Sequence, residues 1–267
     1  MAAKHPVGVI TRGTTAPNRL RRMDRWLLHT ECSRLRSLSH PVVVDLGYGA
    51  SPITAFELRN RLAKNVREDI QVVGIEIDPV RVEQAQHLAD SSLTFIRGGF
   101  EIPTAAPVSV IRAANVLRQY QESEVIDAWN VMAKRLEPGG LLLEGTCDEI
   151  GRKSVWVAVR RDDNGNAQPV SLTISTHLQS LEKPSDVAPR LPKILIHRNI
   201  EGNKIYDVLR LLDDAWERTS HQSTFGARQH WIAALEYATA HGLVTLDSVS
   251  RWRLGEVTIP WAAVAPD

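Results

Sequence analysis

The sequence predicts an α/β protein: a doubly wound, mostly parallel sheet with an antiparallel hairpin at its end, preceded by a helical arm and followed by a helical addition. Three observations carry that expectation. Apolar β-branched runs alternate with stretches of helical periodicity between residues 42 and 145, the order that builds a parallel sheet. Residues 42–52 read as strand, glycine turn and helix start. Residues 154–174 read as two alternating strands around an Asn-Gly turn, which gives seven strands in all.

The first strand, Val42-Val43-Val44-Asp45-Leu46, has the unbroken apolar character of a strand covered on both faces. Gly47 and Gly49 then let the backbone turn sharply and approach a ligand with no Cβ in the way. Ser51 is a suitable N-cap, with Pro52 as the first helical residue, and Ala55, Leu58, Leu62 and Val66 repeat at helical spacing. The second strand, Gln71 to Ile77, ends in Glu76 and Asp78, about 25 residues on, where a nucleotide-binding βαβ unit carries an acid. Asp78 before Pro79 is read as a helix cap. Glu76 is the better acceptor for two ribose hydroxyls, because one carboxylate takes both at once.

The third position of the glycine turn separates two ligand classes. A dinucleotide fingerprint has glycine where this chain has Pro52. The phrase Asp45-Leu46-Gly47-Tyr48-Gly49 instead resembles the first motif of the class I S-adenosylmethionine-dependent methyltransferases, a Rossmann-like superfamily. The likeness continues through Leu93 to Glu101 as third strand and adenine-side loop, Val108 to Asn115 as fourth strand, and Leu136-Glu137-Pro138-Gly139-Gly140-Leu141-Leu142-Leu143 as helix stop and fifth strand. It covers roughly residues 41 to 175, and class I methyltransferases end their sheet with an antiparallel pair, which the hairpin would supply.

The resemblance implies S-adenosyl-L-methionine as cofactor, with Asp45, Gly47, Tyr48, Gly49, Glu76, Ile77, Gly99, Phe100 and Asn115 around it. Many members have an Asp where Gly99 stands, receiving the adenine amino group; here backbone groups of Gly99 and Phe100 are the candidates to replace it, with Phe100 against the base. Family members place the acceptor by the loop after the fourth strand. Asn115, Arg118 and Tyr120 are therefore the candidate catalytic residues, Asn115 to orient the acceptor and Arg118 or Tyr120 to contact it. Methyl transfer is an in-line displacement that proximity and orientation can carry, so no nucleophile is obligatory.

Cys147 follows Thr146 at the end of the fifth strand, as in RNA cytosine-5 methyltransferases, but their Pro-Cys after the fourth strand is replaced here by Ala114-Asn115-Val116. A small buried residue is the favoured reading of Cys147 over a nucleophile. The Asn/Asp-Pro-Pro-aromatic motif of amino-directed DNA methyltransferases is absent, so DNA is not expected.

Composition sets limits. The chain has 267 residues, enough for one α/β domain and a modest addition, divided here as arm (residues 1–40), cofactor-binding core (41–181) and C-terminal addition (182–267) as a cover for the substrate. A net charge of +1 gives no sign of a general nucleic-acid binder. Cys32 and Cys147 build neither a disulfide framework nor a zinc site, no metal is expected, and a reducing cytoplasm is the expected compartment. No apolar stretch nears the ~20 residues that span a bilayer, so no membrane partner is expected.

In the arm, Pro17 opens a helix whose Leu20, Met23, Trp26 and Leu27 face the core. Arg19, Arg21, Arg22 and Arg25 crowd the other side, as a solvated face or as an anion-collecting wall. In the addition, Trp216, Trp231, Trp252 and Trp261 are read as core, and the region around Phe225 to Trp231 as a wall of the acceptor pocket. The function expected is methyl transfer to a small-molecule acceptor. A cofactor-binding protein without transfer, and an RNA methyltransferase using the arginine arm, are the alternatives. Acceptor identity and oligomeric state stay open.

Overall fold

The computed structural model describes residues 6–266. Eight strands form one sheet: β1 (Val42–Leu46), β2 (Gln71–Glu76), β3 (Leu93–Arg97), β4 (Val108–Ala114), β5 (Leu136–Cys147), β6 (Lys153–Arg161), β7 (Ala167–Thr176) and β8 (Glu256–Pro260). Their spatial order is β3-β2-β1-β4-β5-β6-β7-β8. The first five are parallel; β5 to β8 form an antiparallel meander. The expected count of seven is therefore one short, since β8 comes from the C-terminal addition that the sequence reading made helical. Its buried Glu256 and Thr258 alternate with Val257 and Ile259, so it lacks the apolar run of a strand buried on both faces.

The helices are α1 (Arg21–Ser37), α2 (Ile53–Asn65), α3 (Pro79–Ala85), α4 (Val125–Ala133), α5 (Lys193–Ile196), α6 (Lys204–Arg218), α7 (Ala227–Ala240) and α8 (Val249–Trp252). Two apolar layers sandwich the sheet. On one face Met23, Leu27 and Leu35 of α1 and Leu58 and Leu62 of α2 pack with Val43, Leu141, Leu143 and Trp156. On the other, Trp129 of α4, Leu209 and Leu212 of α6 and Trp231 and Leu235 of α7 pack with Val44, Leu142, Val157 and Ile174. Alternation along each strand sends successive side chains to opposite layers. Trp231 and Trp252 are buried in the second layer, and Trp261 packs edge-on to Trp129.

Local details differ from the sequence expectation in three places. The arm helix α1 begins at Arg21, after a turn over residues 17–20, so Pro17 does not open it. Ser51 does not cap α2; Pro52 holds the cap position with no side-chain hydrogen bond. The Pro138-Gly139-Gly140 phrase does not end a helix, because α4 stops at Ala133 and these residues lie inside β5. There the register against β4 shifts between Val108 and Val110. Asp78, by contrast, caps α3, its Oδ1 accepting from Val80 N at 2.9 Å. The β6–β7 turn is closed by Asp162 Oδ1, which accepts from the N–H groups of Asn164 and Asn166.

One buried ion network locks the parallel half. Arg112 on β4 is fully buried and donates from Nε and Nη2 to Asp45 on β1 at 3.0 and 2.8 Å, and from Nη1 to Asp24 on α1. Its Nη2 also reaches the carbonyl of Thr54 at the start of α2. Chain order reverses between β1 and β4, so their carboxyl ends leave the crevice that open α/β sheets use for ligands.

Candidate active site

The glycine turn after β1 forms the floor of this crevice. Gly47 and Gly49 have φ of +68° and +86°, a region that favours glycine. A Cβ at Gly47 would lie 2.8 Å from Cγ2 of Val116, and one at Gly49 would lie 2.7 Å from the carbonyl oxygen of Gly13. Beside the turn, the carboxylate of Glu76 is buried; Oε2 accepts from Gly49 N at 3.0 Å and Oε1 from Ile77 N at 2.9 Å. Arg81 Nη1 stands 3.7 Å from it. Tyr48 turns its ring away into the α1–α2 layer against Phe95, and burial together with the Glu76 charge pushes its phenol well above the usual range.

The segment from Val7 to Thr15 crosses this floor as a strap. Val7 N donates to Glu101 Oε2 at 2.7 Å, and the Val7 carbonyl accepts from Phe100 N at 2.9 Å. Val9 N donates to the Tyr120 hydroxyl at 2.7 Å, Arg81 Nη2 to the Thr11 carbonyl at 3.1 Å, and Ala50 N to the Gly13 carbonyl at 2.9 Å. Gly99 lies so close that a Cβ there would overlap the Val7 carbonyl oxygen. The strap leaves a cleft of about 20 Å³ bounded by Glu76, Ile77, Gly99, Phe100, Val116 and Tyr120, room for about one water.

On the other side of the strap opens a cavity of about 560 Å³, a size typical of small-molecule sites. Asp45, Gly49, Asn115, Arg118, Glu149 and Arg190 are among the residues that line it. Asn115 has φ of +61°, uncommon for a residue other than glycine. Its side chain is clamped to the end of β5: Oδ1 accepts from Cys147 N at 3.0 Å and Nδ2 donates to Cys147 Sγ at 3.2 Å. Cys147 is buried, and burial pushes its thiol up, away from the thiolate form a nucleophile needs.

The structure thus divides the sequence-predicted residues between two spaces. Asp45, Gly47, Tyr48, Gly49, Asn115 and Arg118 border the large cavity. Glu76, Ile77, Gly99, Phe100 and Tyr120 border the small cleft, so Tyr120 stands with Glu76 and Phe100 and not in the cavity that Arg118 lines. The Asp45 carboxylate is taken up by Arg112 and by the Thr54 hydroxyl at 2.9 Å. Of the arm's arginines, Arg19 lines the cavity, but Arg22 turns to the carbonyl of Gly151 and Arg25 pairs with Glu256 of β8. The expected wall around Phe225 to Trp231 lines neither space: Phe225 is exposed and Trp231 is buried under the sheet. Glu149 and Arg190 stand there instead.

Sequence reasoning missed Glu101, the strap, Glu149 and Arg190. Glu101 had a signal, an acid two residues beyond the place where the family's acid is expected. The strap and Glu149 lie in irregular segments and turns without periodicity, and Arg190 ends a short 3-10 helix broken by prolines. Among the described residues, no three His, Cys, Asp or Glu side chains are grouped to hold a metal ion, and no helix is long and apolar enough to cross a membrane.

No protein-family model and no curated protein matches the chain. Among solved structures it is similar to a chain of the complex between the Haloferax volcanii Trm112 methyltransferase activator and a putative methyltransferase (20% identity, 48% of this chain and 53% of that one, TM-score 0.36). It is also similar to the CcbJ methyltransferase from Streptomyces caelestis (16%, 60% and 78%, 0.37). A third is magnesium protoporphyrin IX methyltransferase from Synechocystis with bound SAH (18%, 48% and 54%, 0.36). The match spans about half the length of the first of these. On the order and direction of its own strands, the chain has a Rossmann-like α/β fold, with a parallel run β3-β2-β1-β4-β5 and an antiparallel end β6-β7-β8.

Proposed function

We propose that this chain is an S-adenosylmethionine-dependent methyltransferase acting on a small-molecule acceptor. The observation that carries the reading is the meeting, at the reversal point of the sheet, of a positive-φ glycine turn, a buried acid at the end of β2 and a cavity of about 560 Å³ beside both. The residues fit the cofactor's chemistry. Glu76 is an acceptor for ribose hydroxyls, Phe100 N–H and the Glu101 carboxylate offer a donor and an acceptor to an adenine edge, and a side chain at Gly49 would fill the approach to the turn. When bound, the sulfonium would supply an activated methyl group.

The chain's own residues would then position and enclose. Asn115, held by both its amide atoms to Cys147, is a fixed polar group at the cavity wall. Arg118, anchored through Nη1 to the Pro189 carbonyl at 2.9 Å, faces the same space. With Cys147 buried as a thiol, the arrangement supports direct transfer ordered by proximity, with no covalent enzyme intermediate.

One observation favours a second reading, a protein of this fold that transfers nothing: the strap fills the nucleoside side of the crevice with its own backbone. The arm supports the RNA alternative with fewer arginines than the sequence suggested, because Arg22 and Arg25 are engaged in contacts to β7 and β8. The test is titration calorimetry with S-adenosylhomocysteine, followed by labelling of a fractionated cell extract with methyl-labelled S-adenosylmethionine. Binding together with label in the small-molecule fraction is expected. Binding without label in any fraction supports the second reading as a cofactor-binding protein without transfer, and no binding overturns the methyltransferase reading.

A further inference from the structure

We infer that the large cavity takes an anionic acceptor, a small molecule bearing a carboxylate or phosphate group gripped by Arg118 and Arg190. This rests on the methyltransferase reading and names its substrate class. Four arginines, Arg12, Arg19, Arg118 and Arg190, border the space. The acids that border it are Asp45 and Glu149, and Asp45 is already neutralised by the buried Arg112. Glu149 is three-quarters exposed and reaches Arg190 Nη2 at 3.3 Å, a loose surface pairing of little strength.

Arg19 and Arg118 are anchored by neutral groups, which fix their positions without cancelling their charge, and Arg190 has only its loose pairing with the exposed Glu149. Arg19 donates through Nε to the Asp148 carbonyl at 2.9 Å, and Arg118 through Nη1 to the Pro189 carbonyl. Among the described residues, the remaining N–H groups of Arg118 and Arg190 have no partner, and neither has the Arg12 side chain. Arg118 and Arg190 are also close enough to repel: partial burial and the Arg190 charge both pull the Arg118 guanidinium down. Two like charges held together with unused forked donors are the arrangement that a planar carboxylate or a phosphate relieves.

The experiment uses the full chain at constant ionic strength, with benzoate and inorganic phosphate as probes and benzamide as the uncharged control. Calorimetry and thermal melting are expected to show saturable binding of at least one anion and none of benzamide. Arg118→Ala and Arg190→Ala should each weaken it about tenfold or more. Glu149→Gln, a change at an exposed surface position, should tighten it by removing the competing carboxylate. The arm that binds separates carboxylate from phosphate. Absence of saturable binding, or binding unchanged in all three variants, overturns the inference. S-adenosylhomocysteine titration of the same samples keeps the two readings apart: cofactor binding without anion binding sinks this inference alone, and the converse sinks only the methyltransferase assignment.

Discussion

The backbone of Val7 presents a donor to Glu101 and an acceptor to Phe100, its N 2.7 Å from Glu101 Oε2 and its carbonyl oxygen 2.9 Å from Phe100 N. An adenine edge presents the same pair, an amino donor beside a ring-nitrogen acceptor. The strap therefore satisfies the loop after β3 with the groups a nucleoside would use. Deleting residues 1–9 is expected to tighten S-adenosylhomocysteine binding by about tenfold, because a competitor for the competent state is removed. Calorimetry on the truncated chain checks it. Weaker binding would mean that the strap is a wall of the site and not its occupant.

Glu76 braces the turn as well as facing the cleft. Its carboxylate accepts from the N–H groups of Gly49, Ile77 and Asp78, and truncation removes all three bonds. Glu76→Ala should cost ~1–3 kcal/mol of stability by leaving those buried donors unsatisfied, in addition to weakening nucleoside binding. Glu76→Gln keeps one acceptor oxygen and should fall between the wild type and Ala in both. Denaturant unfolding and calorimetry, run on the same samples, separate the two losses.

The parallel half of the sheet was legible because each of its strands is an apolar run followed by a turn or cap that physics requires there. The eighth strand was not, since Glu256 is buried by pairing with Arg25 and Arg251, and burial by ion pairing leaves no hydrophobic pattern to read. The same holds in the site. Gly47, Gly49, Glu76 and Asn115 declare themselves through backbone and charge at strand ends. The strap is tied by isolated hydrogen bonds to residues 94 and 111 positions away, which no local periodicity encodes. Arg19 faces the cavity while Arg22 and Arg25 do not, because α1 begins only at Arg21, and helical phase does not extend back to Arg19.

Glu144 on β5 should make stability depend on pH. It is fully buried beside Trp129, and neither carboxylate oxygen has a regular hydrogen-bond partner. Burial pushes its pKa up from 4.5 to about 8. The folded state therefore keeps a proton that the unfolded chain releases, so this group's contribution is fully present below pH 4.5, falls as pH rises and levels off above about 8. The cost at pH 7 is on the order of 3 kcal/mol. Glu144→Gln should melt higher than the wild type at pH 7 and show a flatter profile between pH 5 and 8. Parallel profiles for the two proteins would place the pH dependence elsewhere.

Asn115 combines a strained backbone with a clamped side chain, and two substitutions separate these. Glycine adopts φ near +61° without penalty, whereas alanine keeps the strain and loses the amide contacts to Cys147. Asn115→Gly should therefore be more stable than Asn115→Ala by about 1 kcal/mol. Both lack the amide that faces the cavity, so both should lose methyl transfer, with kcat falling more than cofactor affinity. The comparison discriminates between roles. If the amide orients the acceptor, the more stable glycine variant gains nothing in turnover over alanine. If Asn115 serves only the turn, glycine restores transfer in proportion to stability, and a single-turnover measurement on the two variants, each saturated with cofactor, tells which.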